Sequence, residues 1–131
     1  GAVSFVVASP DLLGALCGQQ FDLVHSVIVL QHMVPPLQTV YVEQLCDALV
    51  SPGGRGWLHI PTSRAADGGV NPGCDLAASA AAGGMQMPSA PAEHVAAAAR
   101  SRGCDVEMVP RGSAWIGGTG TGVHYALLRK R

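Results

Sequence analysis

Charge is what this chain has least of. Only 13% of its 131 residues are Asp, Glu, Lys or Arg, against roughly 25% in an average soluble domain. The net charge is −1, so nothing in the balance argues for nucleic acid, which wants a clearly basic surface. Long apolar runs are missing as well. The longest are of the kind Val27-Ile28-Val29-Leu30, far below the roughly 18–20 residues of a membrane-spanning helix. The opening GAVSFVVASP has no basic flank, and its apolar stretch is too brief for a secretory signal. Clustered metal ligands are absent too. Cys17, Cys46, Cys74 and Cys104 stand 28 to 30 residues apart, with no C-x-x-C and no H-x-x-x-H anywhere, so no metal site is expected. The count would allow disulfides, but a chain able to build an apolar core needs no staples, and reduced thiols in the cytoplasm are the expectation. No G-x-S-x-G elbow occurs, which disfavours hydrolase chemistry.

What is present is a greasy chain, 48% hydrophobic, long enough for one domain and one modest core. Val3–Ala8 (VSFVVA) is a β-branched and aromatic run of the sort found in a strand covered on both faces. Ser9-Pro10-Asp11 then offers an N-cap, a proline at N1 and an acid in the first turn of a short helix ending near Gly18. Phe21–Ser26 (FDLVHS) reads as a second buried strand. Pro35-Pro36 opens a helix whose apolar positions Leu37, Val40, Tyr41, Leu45, Ala48 and Leu49 trace one face. Ser51–Gly54 (SPGG) turns the chain into a third strand, GWLHIP, which Pro61 closes.

Residues 62–88 are poor in large apolar side chains and predict a flexible, lid-like insertion. A helix from Pro91, PAEHVAAAARSR, is closed by Gly103. DVEMVP and VHYALLRK are the last two strands. The alternation predicts an α/β fold: a mostly parallel sheet with helices, closed by a C-terminal antiparallel strand pair. The bases gather at the end, where residues 100–131 hold six bases and two acids; Arg129-Lys130-Arg131 reads as a solvated terminus.

Gly118, Gly120 and Gly122 spell G-x-G-x-G, a spacing associated with cofactor loops. Such a loop must leave a strand and enter a helix, whose N-terminus supplies the aligned N–H groups. After Gly122 comes VHYALLRKR, a strand sequence. The glycines therefore predict an irregular hairpin loop between the last two strands.

The succession VSFVVASPDLL, FDLVHSVIVLQHM, LCDALVSPGGRGWLHIP, HVAAAARSRGCDVEMVP and VHYALLRK resembles the class I S-adenosylmethionine-dependent methyltransferases, and the resemblance covers nearly the whole chain. It implies a Rossmann-like methyltransferase fold in incomplete form. The family's glycine-rich cofactor loop after its first strand, and the ribose-binding acid after its second, have no counterpart, so residues 1–131 look like the C-terminal two-thirds of such a domain. The family's order sets its first two strands between its third and fourth. Val3–Ala8 would then lack both neighbours, and must pair elsewhere or stay poorly anchored.

The resemblance also implies roles. Ser9, with Pro10, falls where the family contacts the adenine, although Ser9 serves equally well as a helix cap. Ser26 and Val27 fall at the carboxyl edge of the sheet, where open α/β folds place ligands. Gln31 and His32 come near the methyl group and its acceptor. The imidazole of His32 has the range to deprotonate a hydroxyl or amine, though packing is the commoner fate of a helical histidine. Asp22 reads as structural, His25 and His59 as core or sheet-face residues, and His94 and His124 as surface. Met85, Met87 and Trp115 suit either packing or an acceptor lid.

Two functions stay open. One is S-adenosylmethionine-dependent methyl transfer to an unidentified small-molecule acceptor, weak or absent in this chain alone; in-line positioning carries most of that catalysis, so few conspicuous residues are needed. The other is a non-catalytic binding or assembly module that kept the sheet without the cofactor cradle. Uncovered sheet surface predicts self-association in either case. The Ala- and Gly-rich, Lys-poor composition suggests a bacterial, GC-rich source.

Overall fold

The computed structural model describes residues 3, 5–7, 11–27, 29–63, 90–111 and 122–131. Its elements in chain order are α1 (Leu12–Ala15), β1 (Leu23–Ser26), a 3-10 turn (Leu30–His32), α2 (Pro35–Asp47), β2 (Arg55–Ser63), β3 (Ala90–Pro91), α3 (Ala92–Ser101), β4 (Cys104–Arg111) and β5 (Gly122–Lys130). The sheet runs β1-β2-β5-β4, with the two-residue β3 beside the end of β2. β1 and β3 lie parallel to β2, whereas β5 is antiparallel to both β2 and β4. The expected parallel portion and closing antiparallel pair are both there, in a mixed sheet.

Alternation along the strands assigns their faces, because directly paired residues share a side. One side carries Val24, Leu58, Ile60, Ala126, Leu128, Cys104 and Val106. This side packs against Val42, Cys46 and Leu49 from the α2 region and Val95, Ala98 and Ala99 of α3. The core is therefore a helix layer on one sheet face. Gly103 closes α3 in the left-handed region at φ +71°, with its N–H donating to the carbonyl of Arg100, which is the expected role of glycine at C′.

Several sequence expectations need correcting. Val3 and Phe5–Val7 are in no strand, and Phe5 is 95% exposed; among the described residues no strand pairs with this run, so its backbone groups are left to solvent. α1 is capped by Asp11, whose Oδ1 accepts from the Gly14 N–H at 2.8 Å. Ser9 and Pro10, expected at its start, lie outside the described residues. β1 is not buried. Among the described residues it is the edge of the sheet, and Leu23 is 64% exposed. The buried face of α2 runs through Gln38, Val42 and Cys46, while Val40 is exposed, since a polar residue occupies the apolar stripe.

β2 does not stop at Pro61 but continues to Ser63. The Arg55 N–H donates toward β1, to the carbonyl of Asp22, so by alternation Pro61 would direct its missing N–H to the same side. There β1 has already ended opposite Leu58, and the proline costs little in ladder bonds. The C-terminal bases are not simply solvated. Lys130 donates to the Arg102 carbonyl at 2.6 Å and stands 3.8 Å from Asp47, and Arg131 is 3.6 Å from Asp105.

The 62–88 insertion, apart from Thr62 and Ser63 of β2, lies outside the described residues, as do Met85, Met87 and Trp115. Gly118 and Gly120 do too, but their flanks are strands: β4 and β5 pair antiparallel, and Gly122 is the first residue of β5. From Gly122 onward the chain is strand and not helix, as the hairpin reading requires.

Candidate functional site

The carboxyl end of β1 gathers most of the singled-out residues. Ser26 ends the strand, half-buried, and Val27 follows at 38% exposure. The chain then closes a 3-10 turn through Leu30, Gln31 and His32, with the His32 N–H donating to the Val29 carbonyl at 3.1 Å. His32 is exposed at the end of the turn. Ser26, Val27, Gln31 and His32 are thus brought to one edge of the sheet by a strand and a turn. Ser9 and Pro10 cannot be set beside them.

What holds the turn is Gln38, a residue that the apolar pattern of α2 leaves out. It is fully buried. Its Nε2 donates to the carbonyls of Leu30 at 3.0 Å and Met33 at 2.9 Å. Its Oε1 accepts from the N–H of Ala90 at 3.1 Å. One amide therefore ties the turn after β1, the first part of α2 and β3 together, and it satisfies three backbone groups that burial would otherwise leave costly. Leu30, 1% exposed, plugs the core beneath the turn. The only sequence signal for Gln38 is its spacing of four and eight residues from Val42 and Cys46.

The opposite sheet face is different. Register puts Leu23, His25, Arg55, Trp57, His59, Tyr125, Leu127, Arg129, Asp105 and Glu107 on it. Rings tilt against one another across the strands: His25 on Trp57 at 5.2 Å, Trp57 on Tyr125 at 5.4 Å and Tyr125 on His59 at 5.5 Å. His25 and His59 are sheet-face residues, as expected, and His94 is exposed. Asp22 is exposed, and its carbonyl receives the Arg55 N–H. Trp57 remains 45% and Leu127 40% exposed, and among the described residues no helix lies over them. A hollow of about 600 Å³ opens on this face, lined by Leu23, Arg55, Trp57, Asp105, Glu107 and Arg129 among others. These residues lie toward the starts of β1, β2 and β4 and the end of β5, so the hollow sits at the end of the sheet where β1 begins.

The thiols differ sharply in setting. Cys46 and Cys104 are buried side by side in the core, and Cys17 is exposed. Burial and the neighbouring Cys104 thiol push the Cys46 thiol well above the ordinary range. Iodoacetamide at mildly alkaline pH is expected to alkylate Cys17 within minutes while Cys46 stays unmodified until the protein is unfolded, because only an accessible thiolate reacts. Peptide mass mapping checks this, and equal rates at the two would contradict the buried assignment. Among the described residues no group of three or more His, Cys, Asp and Glu side chains is placed to hold a metal ion, and no helix is long and apolar enough to cross a membrane.

No protein-family model matches the chain, and no curated protein resembles it in sequence. Solved structures do resemble its fold. Magnesium protoporphyrin IX methyltransferase (ChlM) from Synechocystis PCC 6803, with bound SAH, superposes with a TM-score of 0.59 at 10% identity over 87% of this chain and 47% of that one. An O-methyltransferase family protein from Burkholderia thailandensis gives 0.52 at 17% identity, over 86% of this chain and 31% of that one. The S-adenosylmethionine-dependent methyltransferase SibL, in its apo form, gives 0.50 at 19% identity, over 86% and 32%. The chain thus spans less than half the length of each.

Among the described residues the carboxyl end of β1 presents Ser26, Val27 and the 3-10 turn, and the hollow lies toward the start of β1. The order β1-β2-β5-β4, with an antiparallel strand set between β2 and β4, and the likeness to these structures together show that the fold is an incomplete form of the Rossmann-like α/β fold seen in these methyltransferases.

Proposed function

We propose that residues 1–131 form one partial domain of an S-adenosylmethionine-dependent methyltransferase acting on a small-molecule acceptor in the bacterial cytoplasm, and that this chain alone binds the cofactor weakly. The observation that carries the reading is the sheet itself: its order, its one antiparallel insertion and its likeness to methyltransferases of known structure. The location of the singled-out residues supports it, since the carboxyl edge of the strands is where open α/β sheets bind ligands. Ser26 and Val27 would line the cofactor, together with Ser9, Pro10 and Gln31. His32, exposed at the end of its turn, would take the proton of an acceptor hydroxyl or amine. Among the described residues β1 has no second neighbour and no helix covers Trp57 and Leu127, which supports the weakness, because a site needs walls.

Two-dimensional amide NMR tests the location. Added S-adenosylmethionine at roughly millimolar concentration, the range of weak binding, is expected to shift the amides of Ser26, Val27, Gln31 and His32 and to spare Trp57 and Leu127. Shifts confined to the Trp57 face, or none at the solubility limit, would remove the cofactor from this edge.

A second reading has its own support. Among the described residues Trp57, Leu127 and Leu23 make an exposed apolar face of the kind that marks an interaction surface, which suits a non-catalytic binding or assembly module.

A further inference from the structure

Two strands and the candidate site's turn all lie against β2. Thr62 pairs with both Ala90 of β3 and Gly122 of β5, so those strands occupy opposite edges of β2. β5 also runs opposite Arg55–Leu58, where β1 pairs, which puts β1 and β3 on the same edge. Along that edge β1 reaches Leu58, and β3 is met at Thr62. The Leu30–His32 turn follows β1 in the chain and lies against β2 as well, with Leu30 in the core.

The turn and β3 are distant in sequence, and one side chain bonds them. Gln38 Nε2 donates to the carbonyls of Leu30 and Met33, at the start of the turn and just past its end, and Oε1 accepts from the Ala90 N–H. The two ends of a primary amide are not equivalent, since the nitrogen donates and the oxygen accepts. The Ala90 N–H therefore fixes which end faces the turn. Rotated by half a turn, the amide would set its oxygen against two carbonyls and its NH2 against an N–H. Gln38 is fully buried, so bulk water does not stand in for a lost partner, and loss of one bond weakens the hold on the others.

We infer that Gln38 is a positioning residue, through which β3 sets the geometry of the turn that carries Gln31 and His32. While Ala90 and Pro91 sit beside Thr62 and Ser63, the amide is held with its donors toward the turn. Displacement of β3 releases the amide, and the turn loosens. That this turn belongs to a cofactor edge rests on the proposed function, whereas the coupling itself is measured without cofactor. A coupled turn that S-adenosylmethionine fails to shift would sink that function and leave the coupling standing. An uncoupled turn that the cofactor does shift would do the reverse.

Backbone amide order parameters from NMR relaxation test it, because they report on the folded state directly. In the wild type the His32 and Met33 amides, which donate to the carbonyls of Val29 and Leu30, are expected at the rigid level of about 0.85. Gln38→Leu removes the link itself, and Ala90→Pro removes the N–H at its far end. Each should lower both amides to roughly 0.6 or less. The Val50 and Lys130 amides, bonded to the carbonyls of Phe21 and Gly54, should keep the wild-type value. In the double variant Ala90→Pro should add nothing further, since both changes cut one link. Should either variant fail to fold, Gln38→Glu keeps the acceptor and loses the donors, and predicts a loosened turn with the Ala90 amide still ordered. The inference is overturned by a turn already mobile in the wild type, or by one as rigid in the variants as in the wild type. A second drop when Ala90→Pro is added to Gln38→Leu overturns it too, because β3 would then act by another route. A drop shared equally by Val50 and Lys130 would mean general loosening and count against it in the same way.

Discussion

Replacing Gln38 with leucine is expected to destabilise the protein by about 2 kcal/mol or more, since each buried backbone group left without its partner costs roughly 1–3 kcal/mol. The side chains are similar in size, so the loss is not one of volume. What disappears is the pair of donors to Leu30 and Met33 and the acceptor for Ala90. The leucine side chain would fill the space and leave the Met33 carbonyl and the Ala90 N–H facing an apolar wall, while the Leu30 carbonyl keeps the Met33 N–H. Urea denaturation followed by circular dichroism measures the change, and Gln38→Glu separates its parts. A carboxylate keeps the acceptor for Ala90 and cannot donate to the two carbonyls, so its transition should also move to lower urea. A leucine variant as stable as wild type would show that the amide network contributes nothing net.

Gly54→Ala is the second large effect, with an expected cost of about 1–3 kcal/mol as overpacking. A Cβ at position 54 would sit 2.7 Å from the Val50 carbonyl oxygen, 2.9 Å from the Val50 nitrogen and 3.1 Å from Leu49 Cβ. Two of these are backbone atoms, and they cannot swing aside as a side-chain tip would. The Gly54 N–H donates to Val50, and its carbonyl receives the Lys130 N–H at 2.8 Å. The turn after α2 thus fastens the start of β2 to the end of β5, and a shift to relieve the clash would loosen both. Thermal melting of Gly54→Ala against wild type checks this; an unchanged midpoint would mean that the turn yields freely.

How much of this is legible in the sequence depends on how local each determinant is. The β-branched runs FDLV and GWLHI become β1 and much of β2, and Pro35 and Gly103 bound helices where local chemistry says they should. Gly118, Gly120 and Gly122 are separable from a cofactor loop because a strand sequence succeeds them, and β5 begins at Gly122. Non-local determinants are not legible. Val3–Val7 has a strand's composition, but a strand exists only with a partner, and pairing is not written in a segment's own residues. Phe21–Ser26 has the composition of a buried strand, yet its place at the edge is decided by what lies beside it. The buried stripe of α2 departs from the apolar pattern because Gln38 is polar, and only its three bonded neighbours explain why it is inside.

The candidate site shows the same division. Ser26, Val27, Gln31 and His32 are marked by their succession after one strand, and they do share one edge. Ser9 and Pro10 depend on where the preceding segment goes, and no local rule fixes that. The aromatic row from His25 to His59 crosses three strands, β1, β2 and β5, so it emerges only from register.

The central claim is that this chain carries the sheet seen in methyltransferases of known structure while its described residues form no closed cofactor pocket, and calorimetric titration of the folded protein with S-adenosylmethionine tests it most directly. The account predicts weak heats that do not saturate below roughly 1 mM, about −4 kcal/mol of binding free energy or less. A saturating isotherm with a Kd of about 1 µM or tighter, near −8 kcal/mol, would contradict it.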